Sequence, residues 1–284
     1  LIAAARVDVI FKHDPMKFYA LILLIPALLA GPASAAAPDA AVNRLESSPR
    51  HQEWVKIPSG GKTLHAFVVY PQKEGKTPAV IVIHENQGLT DWVRGFADEL
   101  AGEGVIAIAP DLLSGHDAEH DQTSDFPSPD AARKALYLLD PQQTTRYLLD
   151  VQKYLSSAPS FNGKIAVIGF CWGGSEAFRF ATHGRGLSVT MVFYGMAPTP
   201  RERVAKIEAP VYGFYGGADN RVSSTIPETQ EWMKKFGKAY EPVTYEGAGH
   251  AFMRRAEEAD GSAENKRARE LAWKRVRAIL SKLQ

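Results

Sequence analysis

Residues 164–174 read K-I-A-V-I-G-F-C-W-G-G, and this stretch decides the fold. Residues 165–168 are a continuous apolar run, as expected of a central parallel strand covered on both faces. The run passes directly into Gly169-Phe170-Cys171-Trp172-Gly173, a G-x-C-x-G motif, and a helical pattern follows from Trp172 to about His183. Strand, sharp turn and helix in that order predict a nucleophile elbow, a strained turn that holds one side chain clear of the sheet. The flanking glycines leave room for the turn, because side chains there would collide with neighbouring backbone. The helix that follows would point free N–H groups and its positive dipole end at the Cys171 sulfur, favouring a thiolate and, later, an oxyanion. A lone cysteine is more often a buried structural residue; strand, motif and helix together favour the nucleophile.

Working outward, residues 53–57 and 63–70 alternate as antiparallel strands joined through Ser59-Gly60-Gly61. Residues 78–84 and 105–109 read as buried strands, with a helix between them that Asp91 can cap. Residues 112–129 are irregular and rich in His, Asp and Ser, a length usually reserved for a functional or mobile loop. Helical patterns cover 130–139 and 141–155. Beyond the elbow, strands at 188–194, 211–215 and 241–245 alternate with a helix at 224–236, and an amphipathic helix closes the chain at 264–283. This alternation predicts an α/β fold: one mostly parallel sheet with helices on both faces.

Three residues with complementary chemistry each follow a predicted strand: Cys171, Asp219 and His250. In open α/β sheets ligands bind at the carboxyl ends of the strands, so all three fall on the functional edge. Nucleophile, then acid, then histidine is also the chain order of the α/β-hydrolase arrangement. His250 would take the thiol proton and later protonate the leaving oxygen, while Asp219 would fix its tautomer. Taken singly, Asp219 suits a turn and His250 a structural loop; as an ordered set with Cys171 they favour catalysis.

From about Trp54 to the C-terminal helix the chain resembles the dienelactone hydrolase family. The resemblance rests on G-F-C-W-G-G at 169–174, G-A-G-H-A-F at 247–252 and His84-Glu85-Asn86. It implies the α/β-hydrolase fold and cleavage of an ester or lactone of a small, anionic molecule through an acyl-thioester, with neither metal nor organic cofactor. It also implies that Glu85 keeps the resting thiol protonated until an anionic substrate displaces it, in keeping with a carboxylate's disfavouring a nearby thiolate. The backbone N–H groups of Trp172 and Asn86 would form the oxyanion hole. Arg254 matches an arginine that pairs with the substrate carboxylate, and Arg133 is the nearest match to a second. Asn86 departs from the apolar residue common at its position, which makes a more polar pocket the expectation. A broader carboxylesterase or acyl-transferase, a catalytically silent binding protein and a thiol sensor are the rival readings.

Composition narrows the partners. With 284 residues, 45% hydrophobic and 23% charged, the chain can build one large core, and a formal net charge of +1 gives no field suited to nucleic acid. A single cysteine excludes an intrachain disulfide. His116 and His120, with nearby acidic residues, lack helical periodicity and read as a solvated loop, not a metal site. Trp92, Trp172, Tyr194 and Phe252 read as core before pocket. Residues 16–35, M-K-F-Y-A-L-I-L-L-I-P-A-L-L-A-G-P-A-S-A, predict a signal peptide and hence a periplasmic or secreted protein without stable membrane insertion after cleavage. Residues 1–15 read as extraneous or as an upstream start, 36–50 as a polar leader, and 51–284 as the single domain.

Overall fold

The computed structural model describes residues 40–284. The segments 1–15 and 16–35, and the first residues of the leader, lie outside the described residues. In chain order the elements are α1 (Ala40–Glu46), β1 (Gln52–Ser59), β2 (Lys62–Val69), β3 (Thr77–Ile83), α2 (Asp91–Gly102), β4 (Ile106–Pro110), α3 (Pro129–Tyr137), α4 (Pro141–Ser156), β5 (Phe161–Phe170), α5 (Trp172–Phe180), β6 (Leu187–Phe193), β7 (Val211–Gly216), α6 (Asn220–Ser223), α7 (Ile226–Lys235), β8 (Tyr240–Tyr245), α8 (Phe252–Arg255) and α9 (Ala263–Leu280).

The strands form one eight-stranded sheet in the order β1-β2-β4-β3-β5-β6-β7-β8. β1 and β2 pair antiparallel, β2 runs antiparallel to β4, and every pairing from β4 to β8 is parallel. The apolar runs foreseen for the central strands follow from this placement. Ala79, Ile81 and Ile83 of β3 join Tyr147, Leu148 and Val151 of α4 on one face. Val80 and Val82, one step out of phase, join Phe96 of α2 and Trp273 of α9 on the other. Both faces are buried, so both phases are apolar.

From β3 the chain goes outward to β4 and then returns to β5 on the other side of β3. The crevice at the carboxyl ends of β3 and β5 is therefore the switch point at which open α/β sheets bind ligands. Glu85 and Cys171 stand at these two strand exits.

Three local expectations change. Asp91 is the first residue inside α2, not its cap; Thr90 holds the cap position, and Asp91 pairs with Arg94 one turn on. The leader segment contains a helix, α1, with Ala41 buried and Arg44 paired to Glu99 and Glu257. Residues 112–129 carry no long element but are pinned by the buried Asp111, which accepts from Leu113 N (3.1 Å), Thr123 N (2.6 Å) and Thr123 Oγ1 (2.7 Å). Within this loop His120 Nδ1 pairs with Asp117 (2.9 Å), and its ring stacks on Phe126.

Candidate active site

Cys171 terminates β5 with φ 55° and ψ −114°, a conformation that few non-glycine residues adopt. Close crossing of backbones enforces it. A Cβ on Gly173 would lie 2.2 Å from the His84 carbonyl oxygen, and one on Gly169 would lie 2.0 Å from that of Gly173. The first turn of α5 is thus pressed onto the ends of β3 and β5, at a distance only glycine permits. Cys171 N–H donates to Phe193 O (3.0 Å), and Ser175 Oγ accepts from Met196 N–H (2.9 Å), which ties the elbow to the exit of β6. Among the described residues three non-glycine positions have positive φ: Cys171, Tyr194 (41°) and Ala251 (59°). All three line one cavity of about 490 Å³. Backbone strain concentrated around a cavity is a mark of a functional site.

The exits of β7 and β8 are fastened together. Gly217 N–H donates to Tyr245 O (2.8 Å) and Ala218 N–H to Ala248 O (2.9 Å). The buried Asn265 of α9 accepts from Gly249 N–H (3.0 Å) and steadies the loop that carries His250. His250 Nδ1 then lies 2.5 Å from Asp219 Oδ2, and its Nε2 lies 3.0 Å from Cys171 Sγ. Asp219 can only accept when ionised, so Nδ1 carries the hydrogen and Nε2 faces the thiol as an acceptor. The three residues separated by 48 and 31 positions in the chain form one continuous relay.

Glu85 sits beside this relay. Its Oε2 accepts from Arg254 Nε (2.8 Å), and Tyr194 OH approaches its Oε1 (3.4 Å). Burial pushes the Glu85 carboxyl up, against the pull of Arg254, His250 and Tyr194. The Cys171 thiol is pushed up to about 11, first by burial and then by the Glu85 charge. The Trp172 N–H and the Arg221 charge pull it the other way. The resting group at neutral pH is therefore the thiol, hydrogen-bonded to His250.

His84, fully buried, organises the β3 exit. Burial pushes its pKa down, so the ring is neutral; Nδ1 donates to Glu85 O (2.8 Å) and Nε2 accepts from Leu112 N–H (3.2 Å). Its ring stacks on Trp172 with centroids 5.6 Å apart. This holds the Glu85-Asn86 backbone beside the start of α5, where the Trp172 N–H already faces the sulfur.

The cavity brings together Glu85, Asn86, Cys171, Trp172, His250 and Arg254 from the sequence-derived set, with Asp219 behind His250. Arg133 is not among the lining residues; it pairs with Asp130 on α3 (2.9 Å). Tyr137, one turn further along α3, lines the cavity instead. Tyr194 and Trp172 are pocket residues, whereas Trp92 and Phe252 belong to the core. Arg221, Ser175 and Met196 also line the cavity and were not anticipated; only the proximity of Arg221 to Asp219 in sequence pointed toward it.

The sheet order, the elbow and the strand-end relay define an α/β hydrolase. The sequence profile of the dienelactone hydrolase family matches residues 64–283, and the chain belongs to that family, whose members are carboxylic ester hydrolases. It is 31% identical over 254 residues to a Saccharolobus solfataricus protein named "Putative carboxymethylenebutenolidase", covering 79% of this chain and 96% of that one. A Bradyrhizobium protein named "Probable 2-oxo-3-(5-oxofuran-2-ylidene)propanoate lactonase" is 27% identical, over 70% of this chain and 83% of that protein. Among solved structures, a Klebsiella pneumoniae chain described as a "Putative Dienelactone Hydrolase" superposes with a TM-score of 0.72 at 24% identity, over 82% of this chain and 98% of that chain.

Proposed function

We propose that this chain hydrolyses an ester or lactone bond of a small anionic molecule, with Cys171 as nucleophile, His250 as base and acid, and Asp219 as its orienting partner. The observation that carries the reading is the relay from Cys171 Sγ to His250 Nε2 (3.0 Å) and from Nδ1 to Asp219 (2.5 Å), at the strained end of β5. The lactonase and carboxymethylenebutenolidase names of relatives lend support for the substrate class.

The geometry supports the following sequence of steps. A substrate carboxylate that pairs with Arg254 competes with Glu85 for the guanidinium and releases that carboxylate from it. Loss of the Glu85 charge from beside the sulfur lowers the cost of a thiolate. His250 takes the thiol proton, and the sulfur attacks the carbonyl carbon. The resulting oxyanion is held by the N–H groups of Trp172 and Asn86. Protonated His250 gives its proton to the leaving oxygen as the carbon–oxygen bond breaks, leaving an acyl-thioester. Water, deprotonated by His250, then attacks the thioester, and the acid product and the thiol are released.

Hydrolysis of dienelactone beside neutral aryl esters, by the wild type and by Cys171→Ala, tests this directly. The expected result is turnover of dienelactone and a fall of at least about 10³-fold in the alanine variant. Turnover unaffected by the substitution would refute the nucleophile. Residues 16–35 are further proposed to direct export. Cell fractionation with N-terminal sequencing should find a mature start near Ala36; intact residues 16–35 on exported protein would refute cleavage.

A further inference from the structure

The cavity holds three arginines, and they differ in what already engages them. Arg254 donates to Glu85 through Nε and to Glu258 through Nη1. Among the described residues, the Arg221 side chain has neither a carboxylate partner nor a hydrogen bond, and Arg255 has none either. An unpaired arginine at a surface carries no information by itself. Arg221 is set apart by its mounting. It lies two residues past Asp219 on α6, whose Val222 is buried, and the N–H groups of Val222 (3.1 Å) and Ser223 (2.9 Å) both close onto Asp219 O. The backbone that carries Arg221 is thereby locked to the acid of the relay. Its charge also reaches the Cys171 sulfur, where it opposes burial and Glu85.

We propose that Arg221 is the anion-recognition residue of the resting pocket, receiving a carboxylate of the substrate while Arg254 is still held by Glu85. The proposal rests on the thiol-hydrolase reading and adds a specificity-determining residue to it. An anion approaching Arg254 meets the negative charge of Glu85, whereas the Arg221 guanidinium offers its full fork of donors, the geometry that suits a carboxylate. The substrate class that fits is an ester or lactone bearing a carboxylate, steered by Arg221 before it competes for Arg254.

Because the chain has one cysteine, alkylation reads the potential at a single site. Rates for iodoacetate, an anion, and iodoacetamide, its neutral analogue, share the same dependence on thiolate fraction, so their ratio isolates anion recognition. Arg221→Gln should slow iodoacetate about tenfold while changing iodoacetamide less than about threefold, and Arg221→Lys should recover part of the loss. In parallel, Arg221→Gln should raise KM about tenfold for 4-nitrophenyl hemisuccinate but not for 4-nitrophenyl butyrate. Equal slowing of both reagents would mean that Arg221 acts only on the thiol, and would overturn the proposal, as would an unchanged ratio. Alkylated protein that still hydrolyses esters would instead refute Cys171 as nucleophile, leaving the ratio to judge Arg221 by itself.

Discussion

Two acidic residues stand at adjacent strand exits and are held in opposite ways. Asp111, just after β4, is buried and accepts three hydrogen bonds, two of them from backbone N–H groups. Glu85, just after β3, is held only by side chains: the Arg254 guanidinium and the more distant Tyr194 hydroxyl. Backbone donors cannot leave without unfolding a loop, so Asp111 is structural. Side-chain donors can change partners, which is what the proposed displacement of Glu85 requires. Burial pushes the Glu85 carboxyl up, so leaving its arginine must go with movement toward solvent or uptake of a proton. A third carboxylate, Asp219 after β7, takes a ring N–H from His250 and belongs to neither kind. On the function proposed above, the nature of the donor, more than the depth of burial, separates scaffold from switch.

Asp219→Asn should have the largest effect on turnover, a loss of about 10³-fold or more in kcat/KM with melting little changed, because the wrong tautomer of His250 then faces the thiol. Asp111→Ala should do the reverse. Stripping partners from three donors should cost about 3 kcal/mol in urea unfolding, while kcat/KM per folded molecule changes less than about threefold. A loss of turnover without a loss of stability at Asp111 would break the comparison.

Glu85→Gln sharpens it. Removing the charge should lower the thiol pKa and so speed iodoacetamide alkylation near neutral pH about tenfold. The sign follows from the raised thiol: only thiolate reacts, and a pKa of about 11 leaves little of it at neutral pH. Wild-type alkylation should therefore climb about tenfold per pH unit between roughly pH 7 and 10, without a plateau. A plateau below pH 8 would show that the resting sulfur is already ionised by His250. The smallest effect is expected at Arg133→Gln, less than about twofold in kcat/KM, since Arg133 pairs with Asp130 on the exposed side of an i,i+3 helix pair.

The relay was legible because its parts lie at places sequence can mark. An apolar run of β-type residues ending in G-x-C-x-G announces the elbow, and turn-rich Gly217-Ala218-Asp219 and Gly249-His250 each end a strand. The sheet was legible for the same reason, since burial on both faces leaves continuous apolar runs. What was not legible depends on contacts far apart in the chain. Helix α1 is only seven residues long, too short for a periodic pattern to mark, and is anchored by Arg44, whose partners Glu99 and Glu257 lie 55 and 213 residues away. Arg221 is marked in sequence only by its nearness to Asp219, and it is the path of α6 that places it at the cavity while α3 leaves Arg133 outside it. Loop 112–129 looked irregular because one buried carboxylate, not a periodic pattern, organises it.

The central claim is covalent catalysis by Cys171, and the acyl-enzyme tests it most directly. Wild-type protein quenched with acid during turnover of a slow aryl ester should show the acyl mass on the peptide containing Cys171, and hydroxylamine should remove it, as expected of a thioester. An acyl group on Ser175, which lines the same cavity, or turnover with no adduct under conditions where deacylation is slow, would contradict the account.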